Sequence, residues 1–449
     1  MQVTVSKSEV RGKVKVPSSK SQAIRGLMCA ALAKGESDLI NPLICEDTTA
    51  AIDVLSKVGI RIRQEEGLWR VAGGTLRAPD ADLFCGESAT TLRFMTAICS
   101  LIPGKSRLVG GPSLSKRPVR SLVQALGKLG VKCSIEGKTT PPVTIEGGTL
   151  KGGLTELPGN ISSQFVSALL LIAPFAQKEV SIRLTTQLTS KSYLLMTLRC
   201  QRRFGIDVRS ELDKFVVARQ SYKPTRFEIE GDWSSASYFL ALGAVSEGVE
   251  VENVSTASVQ GDRMMLEFLR SMGAQVRVTG NSVTVSRGNL KAINTDLSDC
   301  IDLMPTMAVL AALADGTSEF TGIERARIKE SNRVAAVKEG LERIGVTVTE
   351  DRNRLTITGL ATKKPEAEKE EAAEEGETSE EGAGGTAVPE PENVIIDSRS
   401  DHRIAMAFGV LGAAIGGITI NNAECVTKTY PDFWESLKNI GGKLEINAE

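Results

Sequence analysis

Histidine is almost absent from this chain: His402 is the single one in 449 residues. One imidazole leaves no room for the His/His and Cys/His clusters that hold zinc, and none of the eight cysteines falls in a Cys-x-x-Cys pair. The cysteines lie at 29, 45, 85, 99, 133, 200, 300 and 425, a scatter expected of free thiols in a reducing cytoplasm. Aromatic residues make up 4%, too few for base-stacking platforms, and no dense Lys/Arg run occurs, so nucleic acid is not an expected partner. No run of about 18 apolar residues appears, so no membrane span is expected. Residues 1–20 alternate apolar and polar and lack the apolar stretch of a secretory signal. Gly-x-x-x-x-Gly-Lys-Ser and Gly-x-Gly-x-x-Gly are missing too, which argues against nucleoside triphosphate and dinucleotide sites.

What is present is an ordinary globular composition, 41% hydrophobic and 24% charged, long enough for two domains with real cores. The formal net charge of −1 conceals an asymmetry. Residues 361–393 hold eleven Glu and three Lys and contribute −8, which leaves +7 for the remainder. A mildly basic body suits small anionic ligands. The acidic tract is rich in Pro, Glu and Gly and is expected as a disordered surface insertion.

A short pattern recurs: apolar, two spacers, apolar, Gly, then an alternating strand. It reads Leu55-Ser-Lys-Val58-Gly59, Leu126-Gly-Lys-Leu129-Gly130, Leu269-Arg-Ser-Met272-Gly273, Leu341-Glu-Arg-Ile344-Gly345 and Leu437-Lys-Asn-Ile440-Gly441, with a weaker copy ending at Gly205. The glycines are 71, 75, 68, 72 and 96 residues apart, and the longest interval contains the acidic tract. Each copy reads as the last turn of an amphipathic helix, a left-handed glycine and a strand. Each unit also opens with a nearly all-apolar, hence buried, helix behind small polar residues. The unit is therefore βαβαββ. Three units are expected in a lobe spanning 20–229, and three in a second lobe made of 1–19 plus 230–449.

The chemistry-bearing residues stand at the helix starts, where unpaired N–H groups and partial positive charge attract anions. Lys20, Ser21 and Arg25 share one such mouth, and Arg117 precedes another helix. Ser162, Ser163 and Gln164 bring hydroxyls and an amide, and Ser190 opens the next helix in the same way. Asp302 lies between Ile301 and Leu303, costly to bury unless paired or used, and is the candidate general base. Lys329 and Arg333 are four apart, expected on one helix face beside Glu330. Asp401-His402-Arg403 and Lys428 complete the set. Any one of these is also compatible with a plain helix cap and solvated charge. Seven convergent cations, Lys20, Arg25, Arg117, Lys329, Arg333, Arg403 and Lys428, would repel one another without anionic ligands, and two phosphate-bearing ligands would balance them.

This constellation resembles the 3-phosphoshikimate 1-carboxyvinyltransferase (5-enolpyruvylshikimate-3-phosphate synthase) family. The carrying motifs are Ser19-Lys20-Ser21 with Arg25, Thr91-x-Arg93, Arg117-Pro118, Ser162-Ser163-Gln164, Gly231-Asp-Trp-Ser-Ser-Ala-Ser-Tyr-Phe239, Gln260-Gly-Asp262, Lys329-Glu330-x-x-Arg333, Asp401-His402-Arg403 and Lys428-Thr-x-Pro431. The resemblance implies a two-lobed, inside-out α/β barrel of six βαβαββ repeats closing around its substrates. It implies transfer of the enolpyruvyl group of phosphoenolpyruvate to the 5-hydroxyl of shikimate 3-phosphate, in the cytoplasm, by a monomer without metal or organic cofactor.

It further implies that Ser162, Ser163, Ser190 and Lys329 hold the shikimate phosphate, with Lys20, Ser21, Arg25, Gln164 and Asp302 on the ring side. Lys20, Ala89, Arg117, Gln164, Arg333, Arg403 and Lys428 would hold phosphoenolpyruvate. Asp302 would take the hydroxyl proton. Glu330, with Lys20 or Lys428 as rivals, would handle the methylene proton, and His402 would orient.

The chain departs from the family pattern at Ser18, Ile24 and Glu87. It also carries Ala89 where glyphosate-sensitive members have Gly, which implies a crowded phosphoenolpyruvate site and reduced glyphosate sensitivity. A UDP-N-acetylglucosamine enolpyruvyl transferase and a non-catalytic anion-binding repeat protein are the competing readings. The first would need a loop cysteine before Arg117 that this chain lacks, and intact acid and basic motifs argue against the second.

Overall fold

The computed structural model describes residues 1–211, 213–362, 391 and 393–447; the expected disorder of 361–393 lies almost entirely outside the described residues. Within them the strands form six four-stranded sheets of one topology. In the sheet of Leu83–Phe84, Gly104–Val109, Lys132–Ile135 and Val143–Gly147, the first two strands are parallel. The fourth strand pairs antiparallel with both the second and the third. One helix links the first two strands and another links the second to the third, which is the βαβαββ unit expected from the repeat.

The repeated glycine is where the chain reverses out of each second helix. Gly59, Gly130, Gly205, Gly273, Gly345 and Gly441 all have φ between +81 and +99. That left-handed conformation costs a residue with Cβ about 1–2 kcal/mol, so spacing and geometry have one cause.

Three sheets are completed by distant strands, one of them by Arg11–Lys15, which lies parallel to Gly248–Glu252. Gln2–Ser6 pairs with Ile418–Asn421 and Lys443–Asn447, and Arg226–Glu228 lies parallel to Gly35–Ile40. The chain therefore passes between the two halves of the molecule twice, near 16–19 and 229–232. The crossings bond to each other: Ser19 N donates to Glu230 O at 2.8 Å, and Asp232 N to Pro17 O at 2.9 Å. Gly231 is required there, since a Cβ would sit 1.7 Å from Asn253 O.

One apolar core draws on residues between 23 and 229, and the other on residues between 3 and 16 and between 233 and 440. Each centres on the first helix of its units. Lys20–Leu32 packs on Ala89–Ile98, which packs on Ser163–Ile172; Trp233–Ala244, Met304–Leu313 and His402–Ile415 pack on one another. Phe165, Val166, Leu169, Leu170 and Leu171 are fully buried, which explains a helix apolar all round. Each such side chain contributes roughly 1.5–3 kcal/mol of transfer free energy. The sheets alternate buried and partly exposed residues, as in Val143–Gly147, and so cover these helices with one face. Among the described residues no helix is long and apolar enough to cross a membrane.

Candidate active site

The small polar residues ahead of the buried helices are their caps. Ser19, Ser88, Ser162, Asp232 and Asp401 each accept a backbone N–H from the first turn. Asp232 caps Trp233–Ala244 ahead of the Ser234-Ser235 pair. Asp302 sits in a 3-10 turn, Ile301–Leu303, that leads into Met304–Leu313. The caps aim helix mouths from both halves into one cleft. Its lining includes Lys20, Ser21, Ala89, Arg93, Arg117, Ser162, Ser163, Gln164 and Ser190 from one side. Asp302, Arg325, Lys329, Glu330, Arg333, His402 and Arg403 face them. Seven lining cations meet three lining carboxylates, Asp47, Asp302 and Glu330, a surplus of four positive charges.

Ion pairs organise this charge. Lys20 Nζ lies 2.8 Å from Asp47 Oδ2. Burial works against its charge, but Asp47 and then Glu330 outweigh burial and raise its pKa. Arg333, 1% exposed, reaches Asp302 Oδ1 at 2.7 Å, Glu330 Oε2 at 2.6 Å and Asp401 Oδ2 at 2.8 Å. Asp302 Oδ1 also has Lys329 at 3.3 Å and Arg403 Nε at 3.5 Å, while Oδ2 accepts from Tyr193 OH at 2.6 Å. Burial favours a neutral Asp302, but Arg403, Lys329 and Arg333 hold its carboxyl well below the usual range. Glu330 behaves alike: burial is overcome by Arg117 at 3.2 Å, Arg333, and Lys428 at 3.9 Å.

Glu330 also joins the halves, because its carbonyl accepts from Ser113 Oγ at 3.0 Å. That loop is shaped by Glu87, whose carboxylate accepts from Ser113 N and Leu114 N at 3.2 and 2.7 Å. The departure at Glu87 thus fixes the loop that carries Arg117. Lys428 Nζ approaches Glu87 O at 3.4 Å.

At the hydroxyl-rich end, Arg93 lies over Phe165 and donates to Ser162 Oγ at 3.2 Å, Gln164 Oε1 at 2.7 Å and Pro118 O at 3.2 Å. Gln164 Nε2 donates to Thr90 Oγ1 at 2.9 Å. Ser190 precedes Lys191–Arg203 with φ +54 and makes no side-chain cap bond; its Oγ accepts from Arg325 at 2.8 Å. His402 is 1% exposed, and neither ring nitrogen has a hydrogen-bond partner among the described residues. Burial first, then Arg403, keeps its pKa well below the usual value, so it is neutral at pH 7.

Two sequence readings are modified. Lys329 and Arg333 do not share a helix: Asn332 caps Arg333–Arg343, and Lys329 lies before it, so the two converge on Asp302 through a loop. Arg25, expected at a helix mouth, is buried behind the cleft. Its donors serve Thr197 Oγ1, Ser21 O and Tyr193 O at 2.8, 2.9 and 3.2 Å, and it lies over the rings of Phe94 and Tyr193. Among the cleft residues not foreseen are Asp47, Tyr193 and Arg325. Tyr193 had a legible signal, three residues after Ser190 in the same helix mouth. Asp47 and Arg325 arrive through tertiary folding.

A family described as EPSP synthase (3-phosphoshikimate 1-carboxyvinyltransferase) matches residues 5–437. The chain belongs to this family. It is 45% identical over 448 residues to the 3-phosphoshikimate 1-carboxyvinyltransferase of Dehalococcoides mccartyi strain BAV1, covering 99% of each. It is 37% identical to that of Methanothermobacter thermautotrophicus, covering 100% of each. EPSP synthase from Acinetobacter baumannii superposes with TM-score 0.80 at 28% identity over the full length of both chains. The enolpyruvyl transferase NikO from Streptomyces tendae shares the fold, with TM-score 0.75 at 16% identity, covering 99% of this chain and 98% of that one. The six units expected from the repeats, and the EPSP synthase fold that the resemblance implied, are therefore the ones observed.

Proposed function

We propose that the cleft transfers the enolpyruvyl group of phosphoenolpyruvate to the 5-hydroxyl of shikimate 3-phosphate, releasing phosphate. The observation that carries this reading is the division of the cleft. One end is a seat of hydroxyls, Ser162, Ser163 and Ser190, with Lys329 beside it. The other is a group of cations, Lys20, Arg117, Arg333, Arg403 and Lys428, around Asp47, Asp302 and Glu330. Hydroxyls with the Lys329 ammonium and with the guanidiniums that hold Ser162 and Ser190 suit a phosphate attached to a polar ring. The cation group suits a small ligand carrying both phosphate and carboxylate. Ser21 and Gln164 line the ring side, Arg25 holds Ser21 and Tyr193 from behind, and Ala89 narrows the phosphoenolpyruvate end.

Asp302 takes the proton of the 5-hydroxyl, whose oxygen then bonds to the central carbon of phosphoenolpyruvate. A proton is delivered to the methylene carbon, making a methyl group. The bond to the phosphate oxygen breaks, phosphate leaves, and the methyl group returns a proton as the enol ether re-forms. Glu330 is ionised as the cleft stands, so it donates a proton only once Arg117 and Arg333 turn to the substrate anions; Lys20 holds its proton already. Neutral His402, with both nitrogens uncommitted, orients the reacting group by a hydrogen bond. Holding two anions together removes much of the entropic barrier, and fixed cations in a closed cleft stabilise the charge that develops.

The halves 20–229 and 1–19 with 230–449 act as lobes hinged at the paired crossings. A cytoplasmic monomer without nucleic acid fits a cleft supplied by one chain and eight cysteines, all of them free. The test is phosphate release from phosphoenolpyruvate with shikimate 3-phosphate, with shikimate, with UDP-N-acetylglucosamine, or with no acceptor. Release confined to shikimate 3-phosphate is expected. Release with the sugar nucleotide alone, or silence with every acceptor, overturns the reading.

A further inference from the structure

Arg325 stands in the cleft with no carboxylate in ion-pair contact among the described residues. It lies in the turn Glu324–Ile328 and lines the cavity with Lys329. The neighbouring cations have acidic partners: Lys20 has Asp47, Lys329 and Arg403 have Asp302, and Arg117 and Lys428 have Glu330. Arg93 is the other lining cation without one, and its bonds hold Ser162, Gln164 and Pro118 O in place. Arg325 commits only Nη2, to Ser190 Oγ at 2.8 Å and Ser298 O at 2.7 Å; Nε and Nη1 have no partner among the described residues. A half-buried guanidinium that feels Asp302 and Asp299 only from beyond ion-pair distance, and that keeps two donor groups uncommitted, is placed to take an anion that enters the cleft. The anion it can meet is the one that docks on Ser190.

We infer that Arg325 is the second cation of the acceptor-phosphate seat, reaching from the Lys329 side of the cleft to Ser190 on the other. The inference rests on the reading of shikimate 3-phosphate as acceptor. A phosphate on Ser190 then meets a guanidinium fork as well as the Lys329 ammonium. Because the three groups come from both halves, the phosphorylated acceptor completes a bridge across the cleft that an unphosphorylated one leaves unmade. Arg325 therefore sets specificity for the phosphate and does not touch phosphoenolpyruvate.

The experiment compares the full-length enzyme with Arg325→Gln and Arg325→Lys, titrating each substrate at saturating concentration of the other. In Arg325→Gln the KM for shikimate 3-phosphate is expected to rise about ten- to a hundredfold, the scale of a charged hydrogen bond removed. The KM for phosphoenolpyruvate should move by less than about threefold. Arg325→Lys keeps the charge but not the fork and should fall between. A purely structural role, stapling the turn to Ser298 O, predicts instead equal losses for both substrates and a lower melting temperature. That result, or an unchanged KM for shikimate 3-phosphate, overturns the inference. If Arg325→Gln does not fold, Arg325→Lys decides: a selective rise for the phosphorylated acceptor supports the seat, and none refutes it. A wild-type enzyme silent with shikimate 3-phosphate would instead overturn the reading of the reaction.

Discussion

Lys329 gives the sharpest pH test of the phosphate seat. Burial pulls its pKa down, Asp302 at 3.3 Å pulls it back up, and Arg333 and Arg325 push it down again, leaving it at about 8 instead of 10.5. A shift of that size disfavours the ammonium by on the order of 3 kcal/mol. In the proposed complex the protonated form faces a phosphate whose second pKa is near 6, so the phosphate is already dianionic throughout the alkaline range. The sign follows. Below pH 8 Lys329 is charged and affinity for shikimate 3-phosphate is flat. Above it, each binding event must take up a proton, and log KM climbs with a slope approaching one. At pH 9.5 the KM should stand roughly thirtyfold above its neutral plateau, from about tenfold per pK unit. Lys329→Arg, charged at every accessible pH, should remove the climb. The assay is initial-rate phosphate release at saturating phosphoenolpyruvate between pH 6.5 and 9.5. In Arg325→Gln the break should move upward, because one cation no longer opposes the ammonium. A wild-type KM flat to pH 9.5, or the same climb in Lys329→Arg, refutes the reasoning.

Three further outcomes are expected. Lys20→Ala and Arg403→Ala each leave a buried carboxylate short of a partner, Asp47 or Asp302, and should lower kcat/KM by roughly 2–5 kcal/mol; unchanged efficiency in either would refute its assignment. Asp302→Asn removes the proposed base and should cut kcat by about 10²- to 10⁴-fold while the circular dichroism spectrum is retained; a loss below tenfold would reassign the base. Ala89, first residue of its helix and 6% exposed at the cleft, should keep phosphate release insensitive to micromolar glyphosate, and Ala89→Gly should restore inhibition. Potent competitive inhibition of the unaltered enzyme would sink that argument.

The legible part of the molecule was whatever local chemistry dictates. Six glycines at helix ends were visible because left-handed backbone demands them, and all six have positive φ. The buried helices announced themselves by lacking a polar face, and their mouths by cap residues. Asp302 was visible as an acid with apolar neighbours on both sides. Charge pairing across units was not legible. The sequence reading balanced seven cations with two ligands, but Asp47 neutralises Lys20 and Asp401 binds Arg333 before any ligand arrives. Helical spacing misled at Lys329 and Arg333, because Asn332 is a cap and starts the helix one turn later than the pattern suggested. Arg25 misled because a cation near a helix start can face the core as readily as the cleft, and Thr197 and two carbonyls make that burial tolerable.

The pairing that the sequence hid bears on how the base works. Asp302 touches Arg333, Lys329, Arg403 and Tyr193 OH together, which makes it a stable anion and a weak base. A base held that far below its usual range gains little by taking a hydroxyl proton. The proposed substrates change this by their own charge. In the proposed complex a phosphate on Ser190 draws Lys329 and Arg325, and phosphoenolpyruvate draws Arg403 and Arg333. Each cation turned toward a ligand is one fewer holding Asp302 ionised, and closure removes the water that would otherwise screen the change. On the proposed reading, the basicity of Asp302 rises with occupancy of both ends of the cleft, and half-filled sites keep it quiescent. Glu330, clamped by Arg117 and Arg333, is released by the same event and moves toward protonation. On this account the surplus of four positive charges serves twice: it attracts the two anions, and it withholds acid–base competence until both have arrived.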